Sequence, residues 1–307
     1  MLESVSRTAS TPSRAHALDD PREILSFAVA AFNNGGCAIA SLIEINGGAA
    51  RALGAQMAIA QDGRFCGYLS GGCIEAAVAA EALAAMAEGR DRIIKIGEGS
   101  GFFDLRLPCG GSITVAIHVL RNGRILPTIL HKLTERQAVA SAYLPESEEL
   151  KIVEPVPRSG WKDQSFITSY HPPTRLIISG QHGETEALRR LALSVGYEVI
   201  VLSGRSNCLQ FEQATLDEWT AVVLMHHDLD GEEQILQAAL SSPAFYIGAL
   251  GSSRTHSRRV EKLVGAGHSQ GAISRIRAPI GMFGPCRDFN TLSISVLADV
   301  SSRASTR

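Results

Sequence analysis

The pattern of hydrophobic and polar positions changes near residue 174, and this change divides the chain into two predicted domains. From Arg175 onwards, short apolar runs alternate with segments of helical periodicity. The predicted strands are 175–179, 198–202, 221–225 and 244–247, and the predicted helices are 184–195, 231–240 and 253–264. Strands that alternate with helices in this way indicate βαβ units and a parallel sheet. Residues 174–303 are therefore predicted to form a Rossmann-like domain.

The first part of the chain has a mixed pattern. A helix is predicted from Pro21 to about Asn33, because apolar residues recur on one face and Asn33-Asn34-Gly35-Gly36 ends it. An alanine-rich helix is predicted to follow Cys73 and to end near Glu88. The predicted strands are 37–45, 55–60, 65–69, 92–96 and 112–120. Residues 20–120 are therefore predicted to form an α+β domain, so the whole chain is α/β, with the Rossmann-like parallel-sheet domain at the C-terminal end.

Two further segments lack a clear apolar period. Residues 1–19 are rich in Ser, Thr, Arg and Pro, and we expect them to form a disordered tail. Prolines are scattered through residues 121–173, which we expect to be a linker region with some secondary structure. Within it, residues 154–173 are predicted to be the linker itself.

Composition and charge exclude several classes of function. The chain has 29 basic and 31 acidic residues, and this balance does not provide the basic surface that nucleic acids require. No apolar run is long enough to span a bilayer, and the polar N-terminus does not resemble a secretory signal, so no membrane insertion and a cytoplasmic location are expected. The six cysteines are too irregularly spaced for a disulfide framework or a zinc site. Cys37 and Cys66 lie in strand-like runs, where core positions are expected.

The segment Ser70-Gly71-Gly72-Cys73 lies where a strand turns into a helix. Free backbone N–H groups and the positive end of the helix dipole favour an anion at such a place, including a thiolate. The alternative is a glycine-rich turn in which Cys73 packs as a small apolar residue. A second turn, Cys109-Gly110-Gly111, precedes a strand, and its paired glycines permit close approach of a ligand or of another backbone segment.

The first turn of the Rossmann-like domain does not match a dinucleotide-binding fingerprint. Gly180 and Gly183 alone do not complete the pattern G-x-G-x-x-G, and the acidic residue expected at the end of the second strand is absent. Arg205 could instead meet a 2′-phosphate. The sequence thus argues against NAD or NADP.

A second glycine-bearing turn in this domain suits a phosphate. Gly251 and Ser252 lead into a helix with three arginines at its start, namely Arg254, Arg258 and Arg259. The alternative is a solvated basic helix face that Ser252 caps. His226 and His227 follow a strand at the edge where open α/β sheets bind ligands. They are expected to point to opposite sides, so the alternatives are structural or ligand-contacting histidines rather than a shared metal site.

Taken together, these segments resemble the XdhC/CoxI family, the xanthine dehydrogenase accessory factors, over roughly residues 20–303. The resemblance is carried by Gly54-Ala55-Gln56-Met57, Gly67-Tyr68-Leu69-Ser70-Gly71-Gly72-Cys73-Ile74-Glu75, Cys109-Gly110-Gly111, Leu250-Gly251-Ser252-Ser253-Arg254, Ala278-Pro279-Ile280-Gly281 and Ser295-Val296-Leu297-Ala298-Asp299.

The resemblance implies a maturation factor that binds the molybdenum cofactor (molybdopterin) transiently. Such a protein assists sulfuration of the cofactor and its insertion into a xanthine-dehydrogenase-like molybdenum hydroxylase apoenzyme, as a chaperone rather than a catalyst. Cys73 and Cys109 would approach the metal or its sulfur. Gly251, Ser252 and Arg254 would hold the phosphate, and His227 would line the cleft. A cysteine desulfurase is a further expected partner, and a homodimer is expected from the frequency of symmetric oligomers.

Three other functions stay open at this stage. The chain could be an NADP-dependent oxidoreductase that uses Arg205, or a sulfur-transfer enzyme with Cys73 as its nucleophile. It could also be a scaffold that has lost its ligand.

Overall fold

A computed structural model describes residues 11–17, 19–97, 111–180, 182–202 and 216–305. The chain divides into two compact units, Met1–Pro172 and Pro173–Arg307. Among the described helices, none combines the length and the apolar character needed to cross a bilayer.

The first unit is built on a six-stranded sheet. Its strands are β1 (Ser13–His16), β2 (Cys37–Asn46), β3 (Gln56–Ala60), β4 (Arg64–Gly67), β5 (Arg92–Gly97) and β6 (Ser112–Val119), in the spatial order β1-β4-β3-β2-β6-β5. β1 pairs with β4 in parallel, and the other neighbours are antiparallel. The helices are α1 (Pro21–Asn33), α2 (Glu75–Glu88) and α3 (Ile125–Thr134). Apolar residues of α2 pack on one face of the sheet, and those of α1 and α3 pack on the other.

Local sequence signals explain where these helices begin and end. The side chain of Asp20 accepts a hydrogen bond from Arg22 N at the start of α1, where Pro21 occupies the first turn. Helix α2 ends at Gly89, whose φ of 68° is left-handed. The predicted bounds of α1 match the observed ones, as does the end of α2.

Residues 139–170 form a second sheet in the first unit, where the sequence predicts mostly a linker. The strands are β7 (Val139–Leu144), β8 (Glu149–Val153), β9 (Gly160–Lys162) and β10 (Ser165–Tyr170), in the antiparallel order β8-β7-β10-β9. The expectation of a linker over 154–173 is therefore wrong. The short strands β9 and β10 stand between prolines that break the sequence pattern, and their pairing stabilises them. The tail expected to be disordered likewise contains β1, while residues 1–10 lie outside the described residues.

A buried carboxylate joins the two sheets of this unit. Asp91 accepts hydrogen bonds from His118 Nδ1 (2.6 Å), Val119 N (3.0 Å), Arg121 Nη1 (2.8 Å) and Tyr143 Oη (3.0 Å). Burial opposes ionisation of this carboxyl, but the bonds from His118, Val119 and Arg121 outweigh it and hold the pKa of Asp91 below its usual range. Because Tyr143 belongs to β7 and Asp91 precedes β5, the network fixes one sheet to the other.

The second unit is a parallel sheet between two helical layers, as predicted, but it has five strands where the sequence predicts four. Its strands are β11 (Arg175–Gly180), β12 (Glu198–Leu202), β13 (Thr220–Met225), β14 (Tyr246–Ala249) and β15 (Ile276–Arg277), in the order β12-β11-β13-β14-β15. Helices α4 (His182–Ser194) and α8 (Phe289–Ala304) contribute to the core on one face, and α5 (Glu233–Leu240) and α6 (Ser253–Gly265) to that on the other. A short helix, α7 (Gln270–Ile273), precedes β15.

The strand order places a switch point between β11 and β13. The chain leaves β11 towards β12 on one side and returns to β13 on the other. In open α/β sheets, ligands bind beside the carboxyl ends of the strands at such a point. The turns after β11, β13 and β14 are therefore where a ligand site is expected in this unit.

Candidate functional site

The turn before α2 is organised by Glu75. This carboxylate is fully buried and accepts hydrogen bonds from the backbone N–H groups of Leu69 (3.0 Å), Ser70 (2.8 Å) and Ile74 (3.2 Å). Of these donors, Ile74 N belongs to the helix N-terminus, where the sequence predicts an anion, and the other two precede it. The chain's own carboxylate therefore fixes the turn and satisfies one N–H group of that helix end.

Cys73 projects from this turn into solvent. Its thiol is exposed, and Sγ lies 3.4 Å from the hydroxyl oxygen of Ser70, which also lies within 3.3 Å of a Glu75 carboxylate oxygen. A Cβ atom added at Gly71 or Gly72 would meet nothing within 4 Å, so the surroundings are open. The alternative that Cys73 packs as a small apolar residue is therefore wrong.

Two other thiols of this unit belong to the core, as predicted. Cys37 and Cys66 are 1% and 0% exposed. Burial raises the pKa of Cys37 to about 12 and also raises that of Cys66, so both thiols stay protonated and unreactive.

The glycine pair before β6 is described only in part, because Cys109 and Gly110 lie outside the described residues. Gly111 is described, and a Cβ at this position would lie 2.5 Å from Asn46 O and 2.8 Å from Gly48 O. The close approach predicted for this turn is thus made at Gly111 by another backbone segment of the same unit.

The second unit contains a cavity of about 640 Å³ beside the carboxyl ends of β13 and β14. It brings together three residues that the sequence singled out, His227, Gly251 and Ser252. The rest of its wall comprises Glu184, Leu250, residues 279–286 and Leu292. Arg254 is exposed on α6 and is not among the lining residues.

Glu184 is the most unusual group in this wall. It lies in the first turn of α4 and is only 7% exposed. One carboxylate oxygen, Oε1, is 3.2 Å from His227 Nε2, and the His227 side chain is 63% exposed. The other oxygen, Oε2, is buried and has no hydrogen-bond partner within the described part of the chain. A buried acceptor without a donor is costly, so this oxygen marks a place where a ligand donor would be favoured.

The two adjacent histidines point to different partners, as their place after a strand predicts. His226 Nε2 is 2.8 Å from the hydroxyl oxygen of Ser179, whereas His227 contacts Glu184. Burial lowers the pKa of His226, which favours its neutral form. Across the described ranges, no group of three or more His, Cys, Asp or Glu side chains is placed to hold a metal ion.

The turn between β14 and α6 is fixed by its own residues. The Ser252 hydroxyl accepts a hydrogen bond from Thr255 N (3.3 Å) and caps the helix. Gly251 has a φ of 123°, and a Cβ there would lie 2.9 Å from Thr255 Cγ2. Arg259, which the sequence offered as a phosphate ligand, is instead buried against Glu232 and donates to Leu250 O (2.8 Å). It positions the turn and is not available to an anion.

The segment 279–286 closes another part of the wall and adds a thiol that sequence analysis missed. Phe283 N donates to the Ser295 hydroxyl (3.0 Å), which holds the segment against α8. Cys286 is half-buried, and its thiol donates to Phe283 O (3.6 Å). No local signal marks Cys286. Glu184 could have been found as an acidic residue at the helix N-terminus that follows the first Rossmann strand.

Comparisons with known proteins agree with this architecture. A model of the XdhC and CoxI family matches residues 32–97, and a model of the XdhC Rossmann domain matches residues 176–300. The chain is 46% identical over 294 residues to the molybdenum cofactor insertion chaperone PaoD of Escherichia coli, and the match spans 95% of this chain and 91% of that protein.

Two more distant similarities extend along both units. A Bacillus subtilis protein, named as a probable xanthine dehydrogenase component, is 24% identical over 310 residues, which cover 85% of this chain and 91% of that protein. The crystal structure of a xanthine dehydrogenase from Bacillus halodurans matches with a TM-score of 0.74 at 21% identity. That match covers 94% of this chain and 96% of the other, and it establishes a shared fold.

Proposed function

Because the chain belongs to the XdhC and CoxI family, we propose that it binds the molybdenum cofactor transiently and delivers it to a xanthine-dehydrogenase-like molybdenum hydroxylase. The similarity to PaoD, which is named a molybdenum cofactor insertion chaperone, supports this assignment. The observation that carries it is the cavity of the second unit, whose wall includes the buried, unpartnered Glu184 Oε2. We further propose that the protein acts in the cytoplasm, as a homodimer.

The chemistry of the wall fits this cargo. A cavity of 640 Å³ falls within the range of about 300 to 1,000 Å³ that is usual for small-molecule sites. The cofactor carries a phosphate, and the first turn of α6 after Gly251 and Ser252 presents backbone N–H groups suited to an anion. The cofactor also carries a pterin with N–H groups, and the Glu184 carboxylate can accept hydrogen bonds from them. The Cys286 thiol adds a soft sulfur ligand to the wall of the cavity, of the kind that binds soft metal centres.

The same geometry argues against NAD and NADP. In a dinucleotide-binding domain, the pyrophosphate binds at the N-terminus of the helix that follows the first strand. Here that first turn holds the Glu184 carboxylate, which repels a pyrophosphate. Arg205, the residue offered for a 2′-phosphate, lies outside the described residues. We infer that nicotinamide nucleotides bind weakly or not at all.

A titration of the full-length protein with molybdenum cofactor tests the proposal. After gel filtration, near-stoichiometric retention of molybdenum and of pterin fluorescence is expected, with no retention of NADH or NADPH in parallel titrations. Retention of NADPH without the cofactor would overturn the proposal. Alkylation of Cys286 by iodoacetamide, followed by mass spectrometry, should slow when the cofactor is bound, whereas added NADH, which is not expected to bind, should leave the rate unchanged.

A second activity, sulfur transfer through Cys73, is favoured by the exposure of its thiol. In this proposal the Cys73 thiolate takes the outer sulfur from the persulfide of a cysteine desulfurase, which regains its own thiol, and Cys73 then carries that sulfur as a persulfide. Incubation with a desulfurase and L-cysteine should add one sulfur to the wild type and to Cys286→Ser. The same result with Cys73→Ser would assign the sulfur to another thiol and contradict this role.

A further inference from the structure

The unpartnered oxygen of Glu184 restricts what its ligand can be. Glu184 is at least nine-tenths buried, lines the cavity, and leaves Oε2 without a donor in the described part of the chain. A carboxylate accepts hydrogen bonds and donates none, so the ligand group beside it must present N–H or O–H. A phosphate or a carbonyl at this position would face a negative charge. Glu184 therefore selects the part of the ligand that donates hydrogen bonds.

We propose that Glu184 recognises the 2-amino-4-oxopyrimidine edge of the bound ring, an inference that rests on the proposed function. This edge presents an exocyclic amino group beside a ring N–H, and these two parallel donors match the two oxygens of one carboxylate. The pterin of the molybdenum cofactor has this edge. Guanine has it as well, so a guanine nucleotide is the other source of the same chemistry.

The contact with His227 is compatible with this role. Oε1 lies 3.2 Å from His227 Nε2, but a carboxylate oxygen has two acceptor positions and can receive a second donor. The His227 side chain is 63% exposed, so a change of its rotamer costs little and frees Oε1 for the ligand as well. His227 is then available to contact the bound ring.

Ligand pairs that differ only on this edge test the inference. 6-Hydroxymethylpterin is compared with 6-hydroxymethyllumazine, which carries a 2-oxo group in place of the 2-amino group. GMP is compared with IMP, which lacks the 2-amino group. Affinities for the full-length protein are measured by ligand fluorescence and by calorimetry. Because a hydrogen bond to a charged group contributes about 1.5 to 3 kcal/mol, the amino form should bind about 10- to 100-fold more tightly.

The variant Glu184→Gln should change this preference in a defined direction. A carboxamide donates one hydrogen bond and accepts one, which matches the ring N–H and 2-oxo group of lumazine. We therefore expect Glu184→Gln to lose the preference for pterin or to prefer lumazine. Glu186→Gln is the matched control, because Glu186 lies on the same helix, is 38% exposed and pairs with Arg189. The control should keep the wild-type preference.

The outcomes separate this inference from the proposed function. If the wild type retains molybdenum cofactor but binds both members of each pair equally, the inference is wrong and the proposed function stands. If the protein retains no cofactor, but GMP is preferred to IMP and Glu184→Gln abolishes the preference, the edge recognition is supported and the cargo is a guanine nucleotide. A preference that persists in Glu184→Gln would overturn the inference, and because the wild type alone already gives a result, a misfolded variant would not obscure it.

Discussion

Replacement of Arg259 by alanine should destabilise the second unit more than any exposed substitution on α6. Arg259 is 2% exposed, and its guanidinium binds the carboxylate of Glu232, which is 1% exposed. It also donates to Leu250 O at 2.8 Å, immediately before the Gly251 turn. Arg259→Ala removes these bonds and leaves Glu232 buried without a counter-ion.

The expected magnitude follows from the burial of both partners. Removing one partner of a buried ion pair costs about 3 to 5 kcal/mol, because the remaining charge has no compensation. The paired Glu232 already has a raised pKa, since burial outweighs the bonds from Arg259. In the variant this pKa rises further above the unfolded value of roughly 4.3. The native state then binds the proton more readily than the unfolded state, so the variant loses stability as the pH rises through this range.

Each unit contains one of the two tryptophans of the chain, which makes a selective assay available. In a Trp161→Phe background, urea unfolding followed by Trp219 fluorescence reports on the second unit alone. The loss caused by Arg259→Ala should be larger at pH 8 than at pH 5. Arg258→Ala, at an exposed neighbouring position, is the control and should change stability by less than about 0.5 kcal/mol.

A loss below about 1 kcal/mol for Arg259→Ala at pH 8 would refute the assignment of a buried, compensated pair. A double variant, Arg259→Met with Glu232→Leu, refines the test. It removes both charges, and it should recover most of the stability that the single substitution costs. Failure of this recovery would indicate that the bond to Leu250 O, rather than the pair, carries the effect.

Two further predictions concern the turn before α6, at Gly251, and the hydrogen-bond network of Asp91 between the two sheets of the first unit. Gly251→Ala forces a Cβ to within 2.9 Å of Thr255 Cγ2 at a positive φ, so it should cost about 1 to 3 kcal/mol of stability and reduce cofactor retention after gel filtration. The control is Gly265→Ala at the end of α6, where a Cβ meets nothing within 4 Å, and it should be neutral or stabilising. Because the pKa of Asp91 is lowered in the native state, the Asp91 carboxylate stabilises the fold fully above roughly pH 4, and this stabilisation is lost as the pH falls through the native pKa. The difference in unfolding free energy between wild type and Asp91→Asn should therefore shrink in acid. A difference that does not change with pH would contradict the network.

The sequence predicts those helices and strands that a pattern of apolar residues marks within their own segment. The strands and helices of 175–265 follow from alternation of apolar runs with helical periods, and the structure confirms the parallel sheet. Strands β9 and β10 lack such a pattern, because they are stabilised by pairing with each other and, for β10, with β7. A strand of three residues, such as β9, has no period to detect.

The candidate site is harder to predict than the fold because contacts across the unit create it. His227, Gly251 and Ser252 share the predicted location because each follows a parallel strand. The sequence shows an acidic residue at position 184, but the burial of Glu184 and its unpartnered oxygen arise from contacts across the unit, and Cys286 reaches the wall through the path of the segment 279–286. Neither property can be read from neighbouring residues.

The short strand β1 has a consequence for how copies of this protein behave at high concentration. It pairs with β4 in parallel, and the Arg14 guanidinium lies 4.1 Å from the centre of the Tyr68 ring and donates to Gly67 O. An uncovered strand edge offers its backbone groups to another molecule and promotes aggregation. A four-residue strand that carries an arginine is a poor template for further pairing. β1 therefore covers the backbone edge of β4. Removal of residues beyond Ser13 would expose that edge, and we expect self-association of the protein as the first consequence.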